Sequence, residues 1–269
     1  MRAALKTGSE FYGPPEHNSL VLLERYLKKY AEDVDKIVLS IKGGLSPVTH
    51  GIDAFPENIR RSLDDSIAQL NGRSKMALFE FGCRDTNFPQ KVSFEVVEKE
   101  YVQTGKIDGI SLSEVRAETI HEAVKLTKVL AVESELSLFS TDILSNGVAA
   151  ACAQSADLKT SADSMMRHFP RFQPGNFKFN MQLVEQVEKM VSKKGCTSAQ
   201  LAINWTRAIS NRPGMPTIIP IPGATTVERV EENSKLVDIT DEEMAEIDAT
   251  LAKFTTAGER YPDSIPVNT

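Results

Sequence analysis

From Lys36 onwards, short apolar runs alternate with longer stretches in which apolar residues recur every three or four positions. The runs Lys36–Lys42 (KIVLSIK), Met76–Phe81, Gly109–Leu112 and Val129–Leu136 have the length and composition of buried strands. The intervening stretches have helical spacing. ENIRRSLDDSIAQLN is opened by Pro56 and closed by Gly72, and it is followed by SFEVVEKEYVQTG, AETIHEAVKL and NGVAAACAQ. The order is therefore β-α-β-α-β-α-β-α from Lys36 to Gln154, which predicts a parallel sheet with helices packed outside it.

The flanks are less regular. Arg2–Thr7 reads as the end of a helix stopped by Gly8, and Ser9–Asn18 as a loop rich in Gly and Pro. Asn18 or Ser19 caps a helix through SLVLLERYLKKY. Beyond Gln154 the alternation breaks: Ser155–Asn180 offers no strand candidate and reads as one long irregular loop. MQLVEQVEKMVSKKG is a helix ended by Gly195, AQLAINWTRAI a helix capped by Thr197 or Ser198, and Asp241–Phe254 a final acidic helix.

Between the last two lies Pro216–Ile221, a fifth short strand, running through Pro222-Gly223-Ala224-Thr225 into a helix capped by Thr225 or Thr226. A strand tip, a glycine and a helix N-terminus offer backbone amides to an anion, with Arg229 one turn further on. The same residues also read as an ordinary strand-to-helix connection.

Composition narrows the classes. The 269 residues are 25% charged and 41% hydrophobic, which suits one barrel-sized domain or two small ones. The net charge of -6 gives no support to a nucleic-acid partner. No apolar run is long enough to span a bilayer, and MRAALKTGSEFYG lacks the apolar core of a signal peptide, so a cytoplasmic protein without a membrane partner is expected. Cys83, Cys152 and Cys196 are far apart and read as small buried or half-buried residues. His17, His50, His121 and His168 lack the spacing of metal ligands on one helix, and no metal is expected.

GSEFYGPPEHNSLVLLE, KIVLSIKGGL, YVQTGKIDGISLSEVRAETI, VESELSLFSTDILSNGV, RHFPRF, KKGCTSAQLAINW and PIPGATTVERVEEN occur in one order. Together they resemble the aldo-keto reductases, and among these the pyridoxal reductase branch of fungi. The resemblance covers nearly the whole chain, and it implies a single domain over residues 1–269 with a TIM-type (β/α)8 barrel whose site lies at the C-terminal strand ends. Against the family pattern, the first, second and seventh strands have no counterpart in the sequence. The expected barrel is therefore incomplete, with one unpaired edge on Lys36–Lys42 and one on Val129–Leu136.

The resemblance also implies roles. Tyr12 matches the tyrosine that protonates the carbonyl oxygen, and Lys42 the lysine that tunes it. An ammonium favours the phenolate of a tyrosine whose ordinary pKa is about 10. Without the resemblance, Lys42 reads as a solvated charge at a strand tip. Ser113, Glu114 and Glu133 match the positions that hold the nicotinamide amide, where Ser-Asn and Gln are usual. Gly223, Thr225, Arg229, Glu232 and Asn233 match the cofactor helix, with Arg229 on the adenosine phosphate and Glu232 and Asn233 on the adenine. The cofactor implied is NADP(H), and the partner a small-molecule carbonyl compound. The family aspartate that pairs with the lysine has no counterpart around Thr7–Glu10, and the substrate-orienting histidine falls on Gly82. Two functions follow: NADPH-dependent reduction of an aldehyde, pyridoxal to pyridoxine, or an impaired paralogue that binds NADP and acts through interactions.

Overall fold

The computed structural model describes residues 3–49, 51–82, 84–85, 88–154, 159–161 and 170–261. The chain forms two compact units. One comprises Met1–Glu133 with Gln154–Lys159 and Asn268–Thr269, the other Ser134–Ala153 with Thr160–Val267.

The first unit is built from alternating strands and helices: β1 (Ala3–Ser9), α1 (Ser19–Lys29), β2 (Ile37–Gly43), α2 (Pro56–Gln69), β3 (Met76–Phe81), α3 (Gln90–Val97), β4 (Gly109–Ser113), α4 (Ala117–Ala123) and β5 (Val129–Glu133). Each strand pairs in parallel with the next, from β1 to β5. Successive residues of a strand point to opposite faces. One face is apolar: Ile41, Phe79 and Ile110 are lateral neighbours, as are Phe81, Leu112 and Val132, and all six are buried. Helical side chains close over it. The Phe81 and Phe94 rings meet edge-on at 5.1 Å, and Ile59 and Leu63 of α2 are fully buried. Gly43 has no room for a side chain there, since a Cβ would lie 2.3 Å from Ser62 Oγ and 2.4 Å from Phe79 Cε2. The other face carries polar residues and forms the site.

Two sequence expectations fail in this unit. The segment read as a helix end, Arg2–Thr7, contributes the strand β1, in register with β2 from Ala3 opposite Ile37 to Thr7 opposite Ile41. Ala, Leu and Lys are good helix formers, but intrinsic propensity is worth well under about 1 kcal/mol per residue, and pairing along a whole strand outweighs it. β2 is therefore paired on both sides, by β1 and β3, and the unpaired edge expected for Lys36–Lys42 does not exist. A smaller difference is that β5 stops at Glu133 rather than Leu136. The helix read from Ser93 starts at Gln90 and widens into a π-turn over Glu98–Val102, which buries Tyr101.

The rest of the chain carries α5 (Val148–Gln154), β6 (Lys159–Ser161), α6 (Pro174–Lys194), α7 (Ser198–Ile209), β7 (Thr217–Ile218), α8 (Val227–Ser234) and α9 (Asp241–Leu251). β6 lies inside the stretch read as strandless, so the described residues hold seven strands rather than five. α6 begins seven residues earlier than its helical pattern suggested, because Pro174 takes the first helical position, where its missing N–H costs nothing. It ends where Gly195 turns left-handed (φ 74°). α7 opens with a reciprocal cap between Thr197 and Gln200 and buries Leu201, Trp205 and Ile209. β7 is only two residues long; Pro216, Pro220 and Pro222 lack the N–H that a longer ladder needs. Asn180 ties the start of α6 to the chain after α9: its amide donates to the Ala257 carbonyl (2.9 Å) and accepts from the Ala257 N–H (2.8 Å).

Candidate active site

The polar face of the first unit is a row of lateral neighbours: Ser9 of β1, Lys42 of β2, Glu80 of β3 and Ser111 of β4. All four are buried. One step nearer the C-terminal strand ends, Ser113 of β4 lies opposite Glu133 of β5, and both are buried. Lys42 Nζ stands 3.1 Å from Glu80 Oε1 and 3.1 Å from Glu133 Oε1. One ammonium thus faces two carboxylates, all largely withdrawn from water, where their attraction is far stronger than at the surface. Ser40 Oγ, on the same face of β2 as Lys42, donates to Glu80 Oε2 at 3.4 Å. Lys42 is therefore not a solvated strand-tip charge.

Tyr12 lies in the turn that follows β1. Its backbone N–H donates to the Ser9 carbonyl (3.1 Å), and its carbonyl accepts from the Ser19 N–H (3.2 Å). Because Ser9 is the register partner of Lys42, this turn and the lysine share the same end of the sheet. The Tyr12 ring lies across Gly8, where a Cβ would come within 2.1 Å of Tyr12 Cδ2, and it meets Phe11 edge-on at 5.3 Å. Tyr12 is 43% exposed, so its side chain is open to a solute. The loop is anchored through Glu10. Arg61 of α2 holds its two carboxylate oxygens in a fork (3.0 and 3.1 Å), and Ser62 Oγ donates to one of them at 2.9 Å.

Glu114, just past β4, has φ 54°, a left-handed conformation that is costly for a glutamate. Its N–H donates to the Glu133 carbonyl at 2.8 Å. Ser113, Glu114 and Glu133, expected at the nicotinamide amide, are thus brought together. Gly82 follows β3 and donates its N–H to the Gly43 carbonyl (3.1 Å). A Cβ there would sit 3.8 Å from Lys42 Cγ, so the position without a side chain borders the lysine.

In the second unit, Thr226 rather than Thr225 caps α8, its hydroxyl accepting from the Arg229 N–H at 3.3 Å. Glu228 in the first turn is held below the usual carboxylate range, first by its own backbone N–H and then by Thr226. Arg229 is 62% exposed and its Nη1 lies 3.2 Å from Glu232 Oε2. Asn233 Nδ2 donates to the Gly223 carbonyl at 3.2 Å, folding the helix back on the loop before it. Beside them is a cavity of about 330 Å³ lined by Arg207, Pro220, Pro222, Ala224 and Asn233 among others. Nothing lies within 4 Å of a Cβ at Gly223, so the backbone there is open to a ligand. A guanidinium, hydroxyls and helix N-terminal amides form a donor set suited to phosphate.

Glu80 was the residue that sequence reasoning missed. The available signal was an acidic side chain inside the apolar run Met-Ala-Leu-Phe-Glu-Phe, since a buried glutamate requires a partner. The two described cysteines, Cys152 and Cys196, lie outside this site. Cys152 is buried in α5, and burial pushes its thiol up to about 12. Cys196 is half-buried and also raised, chiefly by burial. Cys83, His50 and His168 lie outside the described residues. Among the described residues no group of three or more His, Cys, Asp and Glu could hold a metal, and no helix is long and apolar enough to cross a membrane.

A parallel sheet with its polar residues on one face and at its C-terminal end, covered by helices on the other, is the layout of an α/β barrel-type enzyme. The aldo/keto reductase family model matches residues 7–252, and the chain belongs to that family of oxidoreductases. It is 33% identical to the probable pyridoxal reductase 2 of Schizosaccharomyces pombe, over 97% of this chain and 87% of that protein. It is 32% identical to the putative pyridoxal reductase of Saccharomyces cerevisiae, over 94% of this chain and 83% of that protein. The glycerol dehydrogenase of Gluconobacter oxydans shares the fold with a TM-score of 0.75 at 20% identity, covering 98% of this chain and 84% of that one. An aldo/keto reductase of Klebsiella pneumoniae, solved with NADP and acetate, gives a TM-score of 0.66 at 18% identity, covering 98% and 83%.

Proposed function

We propose that this chain reduces an aldehyde with NADPH, and that the aldehyde is pyridoxal, giving pyridoxine. The observation that carries the reading is the buried ammonium of Lys42 at the sheet end that also holds the Tyr12 turn. The curated relatives named as pyridoxal reductases support the choice of substrate. NADPH, when bound, supplies a hydride for the carbonyl carbon. Tyr12 delivers the proton to the carbonyl oxygen as the C=O double bond becomes an alcohol, and it regains that proton from water. The Lys42 ammonium makes this transfer easier by stabilising the phenolate left behind. Ser113, Glu114 and Glu133 are assigned to the nicotinamide amide. An ionised glutamate only accepts hydrogen bonds, so Glu133 would take the amide NH2. In the second unit, Arg229 and Thr225 with the amides around Gly223 are assigned to the adenosine phosphate, and Glu232 and Asn233 to the adenine.

The chain is read as one family domain, and the described residues hold seven strands where the sequence led to five. Two features favour the second reading, a protein that binds NADP without turnover: Gly82 offers no side chain to the carbonyl, and two carboxylates rather than one face Lys42. Both readings are tested together. Purified protein should oxidise NADPH in the presence of pyridoxal, and Tyr12→Phe should lower kcat by about a hundredfold or more. NADPH should raise the melting temperature, and Arg229→Ala should remove most of that rise while leaving the ligand-free melting temperature nearly unchanged. A thermal shift without turnover selects the binding protein; no shift and no turnover rejects both.

A further inference from the structure

We propose that Glu80 is the positioning residue that fixes the Lys42 ammonium in the site. The inference rests on the reading of Lys42 as the partner of Tyr12. Glu80 lies in an apolar strand and is 1% exposed. A carboxylate is kept in such a place only by a matching charge. It is the direct register neighbour of Lys42, its Oε1 is 3.1 Å from Nζ, and its Oε2 accepts from Ser40. Both oxygens thus face β2, one in an ion pair with Lys42 and the other accepting from Ser40. From the opposite neighbour, β1, the register partner of Lys42 is Ser9, which carries no charge.

Glu133 also reaches Nζ, but from the last residue of β5, at the rim where Glu114 closes over the strand end. Glu80 stands one row deeper, beside the stem of the lysine. The two carboxylates therefore divide the work. Glu80 holds the ammonium from below, and Glu133 meets it at the mouth, where a ligand arrives. A lysine stem has four rotatable bonds, so without a fixed partner the charge would spread over several positions. A displacement of about 1 Å at a reacting group costs up to roughly a hundredfold in rate.

The test uses Glu80→Gln, which keeps the shape and removes the charge, and Glu80→Asp, which keeps the charge and shortens the reach. Glu80→Gln should lower kcat with pyridoxal between about tenfold and a hundredfold, with the KM for NADPH unchanged, and Glu80→Asp should recover part of the loss. Glu80 lies at the sheet end that carries the Tyr12 turn, and loss of its negative charge favours the phenolate. The fall in reduction rate at high pH should therefore move to lower pH in Glu80→Gln, which a purely structural defect would not cause. A second readout does not depend on activity. Acetylation of Lys42 at alkaline pH, followed by peptide mass spectrometry, should be several-fold faster in Glu80→Gln, because the neutral amine is no longer disfavoured by Glu80.

Unchanged kcat, pH limb and Lys42 labelling in Glu80→Gln would overturn the proposal while leaving the reductase reading intact. Faster labelling in a protein that never turns over pyridoxal would uphold the Glu80–Lys42 pairing and reject the reductase reading. If Glu80→Gln folds poorly, a cycle with Lys42→Met decides. The loss of melting temperature in Lys42→Met should be partly restored by adding Glu80→Gln, since Glu133 still lacks its ammonium, and additive losses would overturn the pairing.

Discussion

At Gly8 one methyl group decides where Tyr12 sits. A Cβ there would meet the Tyr12 ring at 2.1 Å and Ser19 Oγ at 2.8 Å, so Gly8→Ala must push the ring aside. Gly82 is the opposite case: its Cβ would meet the Gly43 carbonyl at 3.4 Å and Lys42 Cγ at 3.8 Å, ordinary contacts. Gly8→Ala should therefore lower kcat about tenfold or more and cost about 1–3 kcal/mol of stability. Gly82→Ala should leave both within about twofold and 0.5 kcal/mol. Parallel measurement of kcat and melting temperature checks the pair, and the reverse order would contradict the geometry. The same scale shows what the sequence could reveal. Tyr12 and Lys42 stand in recognisable local spellings, and the structure puts their segments at one sheet end. Glu80 was hidden because its partner is 38 positions away in sequence and becomes visible only through strand register.

Elements were legible where their own pattern decides them. The helical spacing of α1, α2 and α7 appears as read, with Pro56 opening α2, and of the alternatives offered as caps the structure uses Asn18 and Thr197. β1 was not, because nothing local distinguishes Ala-Ala-Leu-Lys from a helix end and only its neighbour β2 makes it a strand. α9 illustrates an element held by its charges. Thr240 and Glu243 cap it reciprocally, and Lys194 of α6 reaches both Glu243 oxygens at 2.7 and 2.8 Å. The Glu243 carboxyl is held below its ordinary value, first by Lys194 and then by the Thr240 backbone N–H. Its stabilisation is present above the unfolded carboxylate pKa of about 4.3 and is lost as pH falls through the lower folded value. Glu243→Gln should thus cost about 1 kcal/mol at pH 7 and progressively less below about pH 4. Denaturant midpoints of the two proteins across that range test this, and a gap that stays constant would contradict the assignment.

On the scale of the whole molecule, the family match runs from residue 7 to 252 and so includes most of both compact units. The βα alternation from Lys36 to Gln154 was sufficient to predict the parallel sheet, since each short apolar run is followed by a helix that must cover it. The stretch around β6 was not legible: three residues of Lys-Thr-Ser carry no apolar signal for a strand. α8 could be read because Pro222-Gly223 and the threonines after them mark its start, and in the structure Thr226 caps that helix and Asn233 folds it back on Gly223. Transfer of a label tests the central claim most directly. NADPH carrying deuterium at the transferred position of the nicotinamide is incubated with pyridoxal and the purified protein, and the product is examined by mass spectrometry. The account predicts pyridoxine one mass unit heavier, with the label on the former aldehyde carbon, and almost none with Tyr12→Phe. Unlabelled pyridoxine, or equal labelled product from Tyr12→Phe, would contradict it.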